Sequence, residues 1–348
     1  MAKGSKRISI QNLATELGIS VSTISRALNN APDVSDATKA QVWALAEKLN
    51  YQPNSMAASL RSGRSNVLGV IIPHINGAFF PAVVHGIERI ASTAGFNVMI
   101  CQSSEEVDRE KTHINALLKA RVDGVLVSMS DTTLDFTHFE QVRGKGIPLV
   151  FFDRMPELPN VCGVVLDDYR GAYQLTEHLI AQGCRRIAHL AGPQHLNITF
   201  NRHQGYQDAL LAHGLPYDKQ LVVPLINSRE SGGATAMRVL LERNVQSDAV
   251  FSAYDFAAVG ALQVLEQQGI RVPQDIALAG FSNEPFTTMI KPGLTSVDQR
   301  AKLMGEAAVQ LFLQLLKRTD IFTGQRIVLK PKLVVRESSL HGQVSQPA

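Results

Sequence analysis

Residues 8–29 read ISIQNLATELGISVSTISRALN and contain two short helical patterns separated by a glycine. Apolar residues at positions 10, 13, 14 and 17 follow the i, i+3, i+4, i+7 spacing of an amphipathic helix. Gly18 breaks that helix, and Ser20 is placed to cap a second one. The small Ala14 lets the two helices cross closely. This spacing predicts a helix-turn-helix.

The second helix of the motif carries a polar face. In helix-turn-helix proteins, the second helix places its N-terminal residues on base edges in the major groove. Arg26 is suited to a bidentate contact with guanine, and Val21 to contact with a thymine methyl group. The short polar side chains predicted to meet DNA, mostly at phosphates, are those of Ser9, Ser20, Ser22, Thr23, Ser25 and Asn29. The alternative is a three-helix head that binds protein.

Charge is distributed unevenly along the chain. The whole chain has a net charge of +3, yet the segment through Asn66 holds eight Lys or Arg residues against four acidic ones. Ser35 begins a third helical pattern in this basic head. A basic head on a nearly neutral body favours a polyanion as the partner of the head alone.

The segment after Pro53 predicts a helix of only about two turns, which is marginal in isolation. We expect it to fold when it docks. Leu60 is suited to wedge open a base step in the minor groove, and the neighbouring Arg61 to enter that groove. The alternative is a linker helix with Leu60 packed on the core.

After residue 65, short β-rich runs alternate with amphipathic helices. Such alternation predicts βαβ units, and about 280 residues favour two α/β subdomains over one. The predicted strands are 67–72, 97–101, 124–127, 149–152, 187–190, 249–252 and 276–280. The predicted helices are 81–94, 109–120, 171–182, 202–213, 257–268 and 302–316.

Other features of the sequence narrow the class of protein. Cys101, Cys162 and Cys184 are widely spaced and odd in number, which argues against a disulfide framework or a zinc site. The sequence has no apolar run of membrane-spanning length and no N-terminal apolar signal segment. We therefore expect a cytoplasmic protein with no cofactor, no metal and no membrane partner.

These residues together resemble the LacI/GalR family of bacterial transcriptional regulators. The head matches over residues 8–29, and the LNYQPN run at 49–54 extends the match. The body is similar to the family's effector domain, a relative of periplasmic sugar-binding proteins. Its matching pieces are 71–73, 79–80, 152–154, 254–261, 272–275, 280–281, 292–297 and 333–338.

The resemblance implies an all-α helix-turn-helix head plus an α/β periplasmic-binding-protein-like body with two doubly wound subdomains. The expected divisions are a DNA-binding domain at 1–53, a hinge at 54–65, a body at 66–340 and a tail at 341–348. Within the body, the first subdomain would take 66–166 and 297–324, and the second 167–296 and 325–340.

The resemblance also implies a homodimer on a pseudo-palindromic operator, with dimers that could pair into tetramers. Each head would read one half-site, with Val21, Ser22 and Arg26 at the base-reading positions. Paired hinge helices would contact DNA through Asn54, Ala57, Leu60 and Arg61, and Leu60 would kink it at the centre.

Ligands of parallel α/β sheets bind at the carboxyl ends of the strands. Carboxylates and amides there suit the hydroxyl groups of a sugar, and Arg202 could instead clamp a sugar acid. The predicted effector-binding residues are Phe79, Phe80, Asp153, Arg202, Tyr254, Asp255, Ser282 and Asn283. Ser282 is a departure, since many sugar-binding members carry an acid there. The structural alternatives are helix caps, ordinary core, or an arginine that holds a buried acid.

Three other functions compete with a sugar-sensing repressor. An enzyme is disfavoured because the sequence lacks G-x-G-x-x-G, Walker A, H-E-x-x-H and G-x-S-x-G motifs. A solute-binding protein for transport would not need the head. A regulator with a vestigial cleft, controlled by a protein partner, stays open because of Ser282. The sequence does not decide between inducer and co-repressor, or between repression and activation.

Overall fold

The computed structural model describes residues 8–51, 64–317 and 324–340. The chain separates into two compact units, residues 1–65 and 66–348. The predicted hinge at 54–65 falls almost wholly outside the described residues, and the tail at 341–348 lies outside them.

The head unit contains three helices, α1 (Ile10–Leu17), α2 (Val21–Leu28) and α3 (Asp36–Lys48). Gly18 ends α1 in the left-handed region at φ 64°, which a glycine adopts without steric cost. Ser20 caps α2 by accepting a hydrogen bond from the Thr23 backbone N–H at 3.1 Å. The buried core of the head comprises Leu13, Ala14, Ile24, Ala27, Val34, Val42, Leu45 and Ala46. The predicted helix-turn-helix is confirmed.

The body contains a six-stranded parallel sheet in the order β11-β5-β4-β3-β1-β2. Its strands are β1 (Val67–Ile72), β2 (Asn97–Gln102), β3 (Gly124–Val127), β4 (Leu149–Phe152), β5 (Cys162–Leu166) and β11 (Arg326–Leu329). The helices that pack on it are α4 (Phe79–Thr93), α5 (Val107–Lys119), α6 (Thr137–Gly144) and α11 (Ala301–Leu315).

A second parallel sheet in the body has the order β7-β6-β8-β9. Its strands are β6 (Ile187–Ala191), β7 (Val222–Pro224), β8 (Ala249–Ser252) and β9 (Ala277–Ala279). Its helices are α7 (Asp168–Ala181), α8 (Asn197–Ala212), α9 (Glu230–Glu242) and α10 (Asp255–Gln267). A two-stranded antiparallel ribbon joins β10 (Ser296–Asp298) to β12 (Lys332–Val334). The predicted α/β body with two doubly wound parallel sheets is confirmed.

The expected division of the body is wrong near its end. We expected all of 325–340 in the second subdomain, but Arg326–Leu329 pairs with Cys162–Leu166 in the first sheet. Only the residues that follow reach the second sheet, where Ser338 Oγ donates to the Leu278 carbonyl at 2.6 Å. The reason is that a strand joins whichever edge leaves backbone groups unpaired, and sequence pattern does not identify that edge.

Several elements were not predicted. They are the helices Thr137–Gly144 and Glu230–Glu242 and the strands Cys162–Leu166, Val222–Pro224, Ser296–Asp298, Arg326–Leu329 and Lys332–Val334. Most of these strands have three or four residues, too few to show a period. Among the helices that the structure describes, none is long and apolar enough to cross a membrane.

Candidate functional site

On α2, exposed residues recur at intervals of four and then three positions, so they lie on one face of the helix. Ser22, Arg26 and Asn29 are exposed, whereas Val21 is half-buried against the head core. Arg26 forms an ion pair with Asp33, and its side chain stays 58% exposed. This face therefore presents one arginine flanked by short polar groups, as base and phosphate contacts require.

Other predicted DNA contacts are placed differently. Ser25 is 8% exposed, because it follows Val21 by four residues and lies on the inward stripe of α2. Our expectation that it faces outward is wrong. The Asn29 side-chain amide donates to the Ser25 carbonyl at 2.7 Å, which ends the helix.

Hydroxyl groups gather at the start of α2. Ser20 Oγ lies 2.7 Å from Ser22 Oγ and 2.8 Å from Thr23 Oγ1. Ser9 bonds Asn12 through both its backbone N–H and its hydroxyl. The remaining predicted contacts, Asn54, Ala57, Leu60 and Arg61, lie outside the described residues.

A cavity of about 530 Å³, part of it open to solvent, lies between the two sheets of the body. Its walls follow the carboxyl ends of β1, β4, β6, β8 and β9. It is lined by His74, Asn76, Phe79, Phe80, Asp153, Arg154, Ile198, Arg202, Ser228, Tyr254, Asp255, Phe256, Ser282, Glu284 and Gln299. Segments far apart in sequence thus meet at one place, as the topology of parallel sheets predicts.

Asn283 is the one predicted effector residue that does not line this cavity. Its side-chain oxygen accepts a hydrogen bond from Arg336 Nη2 at 2.7 Å, and its backbone N–H donates to Ser296 Oγ. The amide is therefore committed to a neighbouring segment. The other predicted residues, from both walls, line the cavity together.

The lining also contains residues that sequence reasoning missed. Arg154 and Glu284 each follow a predicted site residue, Asp153 and Asn283, by one position, so the next residue of each loop was the one to consider. Ser228 and Gln299 come from loops next to unpredicted elements, and no local pattern marks them.

Arg202 lies in the wall and is 1% exposed. Its Nε donates to Asp168 Oδ1 at 2.8 Å, its Nη1 to the Ala253 carbonyl at 2.7 Å and its Nη2 to Gln299 Oε1 at 3.1 Å. The guanidinium carbon stands 3.8 Å from the centroid of the Phe281 ring. Burial raises the pKa of Asp168, and the adjacent guanidinium opposes that rise. Arg202 thus holds a buried acid and still contributes to the cavity surface.

Arg154 is paired in the same way on the opposite wall. Its Nη1 and Nη2 reach Glu105 Oε2 and Oε1 at 2.7 and 3.1 Å, a bidentate pair. Its Nη1 also donates to the Met129 carbonyl. Its Nε is buried and has no hydrogen-bond partner among the described residues. That Nε–H group is a donor left for a ligand acceptor.

Two aspartates face the cavity from different sheets. Asp153 accepts from Ser128 Oγ at 3.3 Å, and burial raises the pKa of its carboxyl. Asp255 accepts from Ser296 Oγ and the Glu284 backbone N–H, and burial raises the pKa of its carboxyl to about 6. Their free lone pairs make them acceptors for hydroxyl groups of a ligand.

Glu284 supplies the acid that Ser282 lacks. It is 6% exposed, and its carboxylate accepts from the Ala78 and Phe79 backbone N–H groups at 2.7 and 3.3 Å. Ser282 Oγ instead accepts from Gln299 Nε2. The carboxylate acceptor of this loop thus lies two residues after Ser282.

Aromatic rings complete the walls. The rings of Phe79 and Phe80 meet edge to face with centroids 5.0 Å apart. Such faces suit the apolar side of a sugar ring. Burial raises the pKa of the Tyr254 hydroxyl to about 12, so this ring stays neutral. Within the described ranges, no group of three or more His, Cys, Asp or Glu side chains is arranged to hold a metal ion.

Comparison with known proteins agrees with this architecture. Residues 9–54 match the family described as bacterial regulatory proteins, lacI family, and residues 176–339 match the periplasmic binding protein-like domain. The ribose operon repressor of Halalkalibacterium halodurans is 32% identical over 342 residues, covering 97% of this chain and 99% of the relative.

Two solved structures are similar over nearly the whole chain. The complex of the transcriptional regulator CelR with cellobiose has a TM-score of 0.73 and 32% identity, covering 95% of this chain and 100% of that one. The Lac repressor dimer bound to operator and the anti-inducer ONPF has a TM-score of 0.85 and 26% identity, covering 96% and 100%. With its helix-turn-helix head and two-sheet body, the chain belongs to the LacI family of bacterial transcriptional regulators.

Proposed function

We propose that this regulator binds a pseudo-palindromic operator as a homodimer and that a small carbohydrate-like effector in the body cavity controls its affinity for DNA. The observation that carries the proposal is the convergence of carboxylates and arginines from both sheets on one cavity. A ligand that contacts both walls couples to their relative position and can thereby shift a two-state equilibrium. The proposal places the protein in the cytoplasm with its DNA and includes no catalytic step.

DNA recognition in this proposal rests on the α2 face. Arg26 is the side chain with the reach and the paired donors for a guanine edge. The proposal retains base-step insertion by Leu60 as an expectation from the sequence. Replacing Leu60 with Ala should reduce operator bending, and unchanged bending and affinity would refute that role.

The proposal of a homodimer is supported by an exposed apolar edge of the first sheet. Strand β2 ends the first sheet, and its Met99 and Ile100 are 41% and 48% exposed. Ile75 and Leu303 are also exposed, at 60% and 48%. An unpaired edge strand with apolar side chains favours pairing with a second copy. The solved Lac repressor neighbour is itself described as a dimer.

The experiment that tests the effector proposal is thermal unfolding against sugars, sugar acids, sugar phosphates and purines. A ligand at 100 times its Kd adds about 2.7 kcal/mol. The midpoint should then rise by about 2–4 °C per kcal/mol. Stabilisation should disappear in Asp153→Asn, and the same ligand should change operator affinity in a fluorescence anisotropy titration. Stabilisation without any change in operator affinity would contradict control by the cavity, and a flat panel would favour a protein co-regulator.

A further inference from the structure

Glu284 fills a position at which a ligand anion would otherwise bind. The residue follows β9 in the second sheet, yet its carboxylate accepts hydrogen bonds at the start of α4, which packs on the first sheet. A helix N-terminus presents unpaired N–H groups and a partial positive charge. Gly77 allows the close approach, because a Cβ there would lie 3.3 Å from Glu284 Oε1.

The two arginines of the cavity are likewise committed to acids of the protein itself. Arg202 is bonded to Asp168, and Arg154 holds Glu105 in a bidentate pair. Among the side-chain nitrogen atoms of these two arginines, only the buried Nε of Arg154 has no hydrogen-bond partner within the described residues. That nitrogen stands 4.0 Å from Asp153 Oδ2, so it is already beside a carboxylate.

The remaining charge of the walls is negative. Two arginines are offset by Glu105 and Asp168, which leaves the carboxylates of Asp153, Asp255 and Glu284. Asp255 and Glu284 form no ion pair within the described part of the chain. A further anion among them would be repelled at short range in a poorly solvated site. Hydroxyl groups, which donate hydrogen bonds, would instead be favoured.

We propose that Glu284 is a specificity-determining residue: its carboxylate occupies the anion-binding start of α4 and so excludes effectors that carry a carboxylate or phosphate. The inference rests on the proposed function, in that the cavity is taken to be the effector site. With Glu284 in this role, the cavity favours uncharged polyhydroxyl compounds as effectors over the sugar acids that Arg202 could otherwise clamp.

The test compares the binding of anions to four proteins of full length. Glu284→Ala empties the position, Glu284→Gln keeps its shape but removes the charge, and Glu266→Gln removes a carboxylate from the exposed surface of α10 as a matched control. The probes are inorganic phosphate, sodium gluconate and glucose, each at equal ionic strength. Thermal midpoints and isothermal titration give the affinities, and circular dichroism shows that each variant is folded.

We expect neither wild type nor Glu266→Gln to bind phosphate or gluconate measurably. Glu284→Ala should gain saturable binding of at least one of these anions, by about tenfold or more, as expected when the start of a partly buried helix is vacated. Glu284→Gln should gain less, because its amide oxygen can still accept from the Ala78 N–H.

Two results would overturn the inference. One is binding of either anion to wild type as tightly as to Glu284→Ala, and the other is a folded Glu284→Ala that is as indifferent to both anions as wild type. These results do not depend on whether the effector has been found. Failure of every neutral compound to stabilise wild type would instead count against the proposed function, and gain of anion binding in Glu284→Ala would still stand.

Discussion

Removal of the Arg202 side chain should destabilise the body more than any change of an exposed arginine. In Arg202→Met, the Asp168 carboxylate and the Ala253 carbonyl lose their buried donor, and Gln299 loses another. Breaking a buried ion pair by removing one partner costs about 3–5 kcal/mol. At about 2–4 °C per kcal/mol, the midpoint should fall by roughly 6–20 °C.

A double-mutant cycle separates the ion pair from the rest of this loss. Asp168→Asn removes the charge that Arg202→Met would strand, so the double variant should be more stable than the sum of the single changes predicts. We expect a coupling free energy of about 2 kcal/mol. Arg170→Met, on the exposed surface of α7, is the matched control and should change stability by no more than about 0.5 kcal/mol.

The assay uses the single tryptophan to separate the two units. Trp43 lies on α3 in the head, so its fluorescence follows the head, whereas circular dichroism during urea unfolding follows the whole chain. Only the transition of the body should move in Arg202→Met. A loss below about 1 kcal/mol, or single changes that add within about 0.5 kcal/mol, would refute the assignment of Arg202 to a buried pair.

Three further outcomes are expected. Arg26→Ala should weaken operator binding by about 1–3 kcal/mol and relax sequence preference in anisotropy titrations. Arg271→Ala on the body should change neither. An unchanged sequence preference in Arg26→Ala would refute the contact with guanine. Burial raises the pKa of Asp255 to about 6, so the ionisation of this carboxyl should lower the free energy of unfolding as pH rises from about 4 through 6. In urea unfolding, the stability of Asp255→Asn should therefore increase relative to that of wild type across this window, and a constant difference would contradict this. Ile100→Asp on β2 should yield monomers in sedimentation velocity, whereas Val328→Asp on the opposite edge strand should stay dimeric. Dimers in both variants would show that β2 does not form the interface.

The sequence predicted most accurately a set of four strands that each contain at most one residue that is glycine or polar. Val67–Ile72, Gly124–Val127, Leu149–Phe152 and Ala249–Ser252 match their predicted bounds, because buried parallel strands are apolar throughout. Val222–Pro224 has only three residues, and its neighbours in the sheet, not its composition, make it a strand.

The candidate site was predicted well where a side chain closely follows a strand. Asp153 directly follows β4, Asp255 comes three residues after the end of β8, and both line the cavity. Glu284 was missed because its importance comes from the Ala78 N–H, which is 206 residues away in sequence. The predicted exposure of Ser25 was wrong because its hydroxyl group suggested a contact with DNA, whereas its position in the helical repeat lies on the inward stripe of α2.

The late return of the chain to the first sheet has a consequence for its synthesis. Arg326–Leu329 covers the edge of Cys162–Leu166, a strand whose residues are all buried, and Ser338 then fastens the last turn to Leu278 in the second sheet. The ribosome must therefore synthesise the chain through Arg326–Leu329 before the first sheet has all its strands, and through Ser338 before the bond to Leu278 can form. A product that ends between residues 166 and 326 would expose this apolar edge, which is suited to aggregation. Premature termination in that interval would thus produce chains that tend to aggregate, and not a pool of soluble truncated regulators that compete for operators.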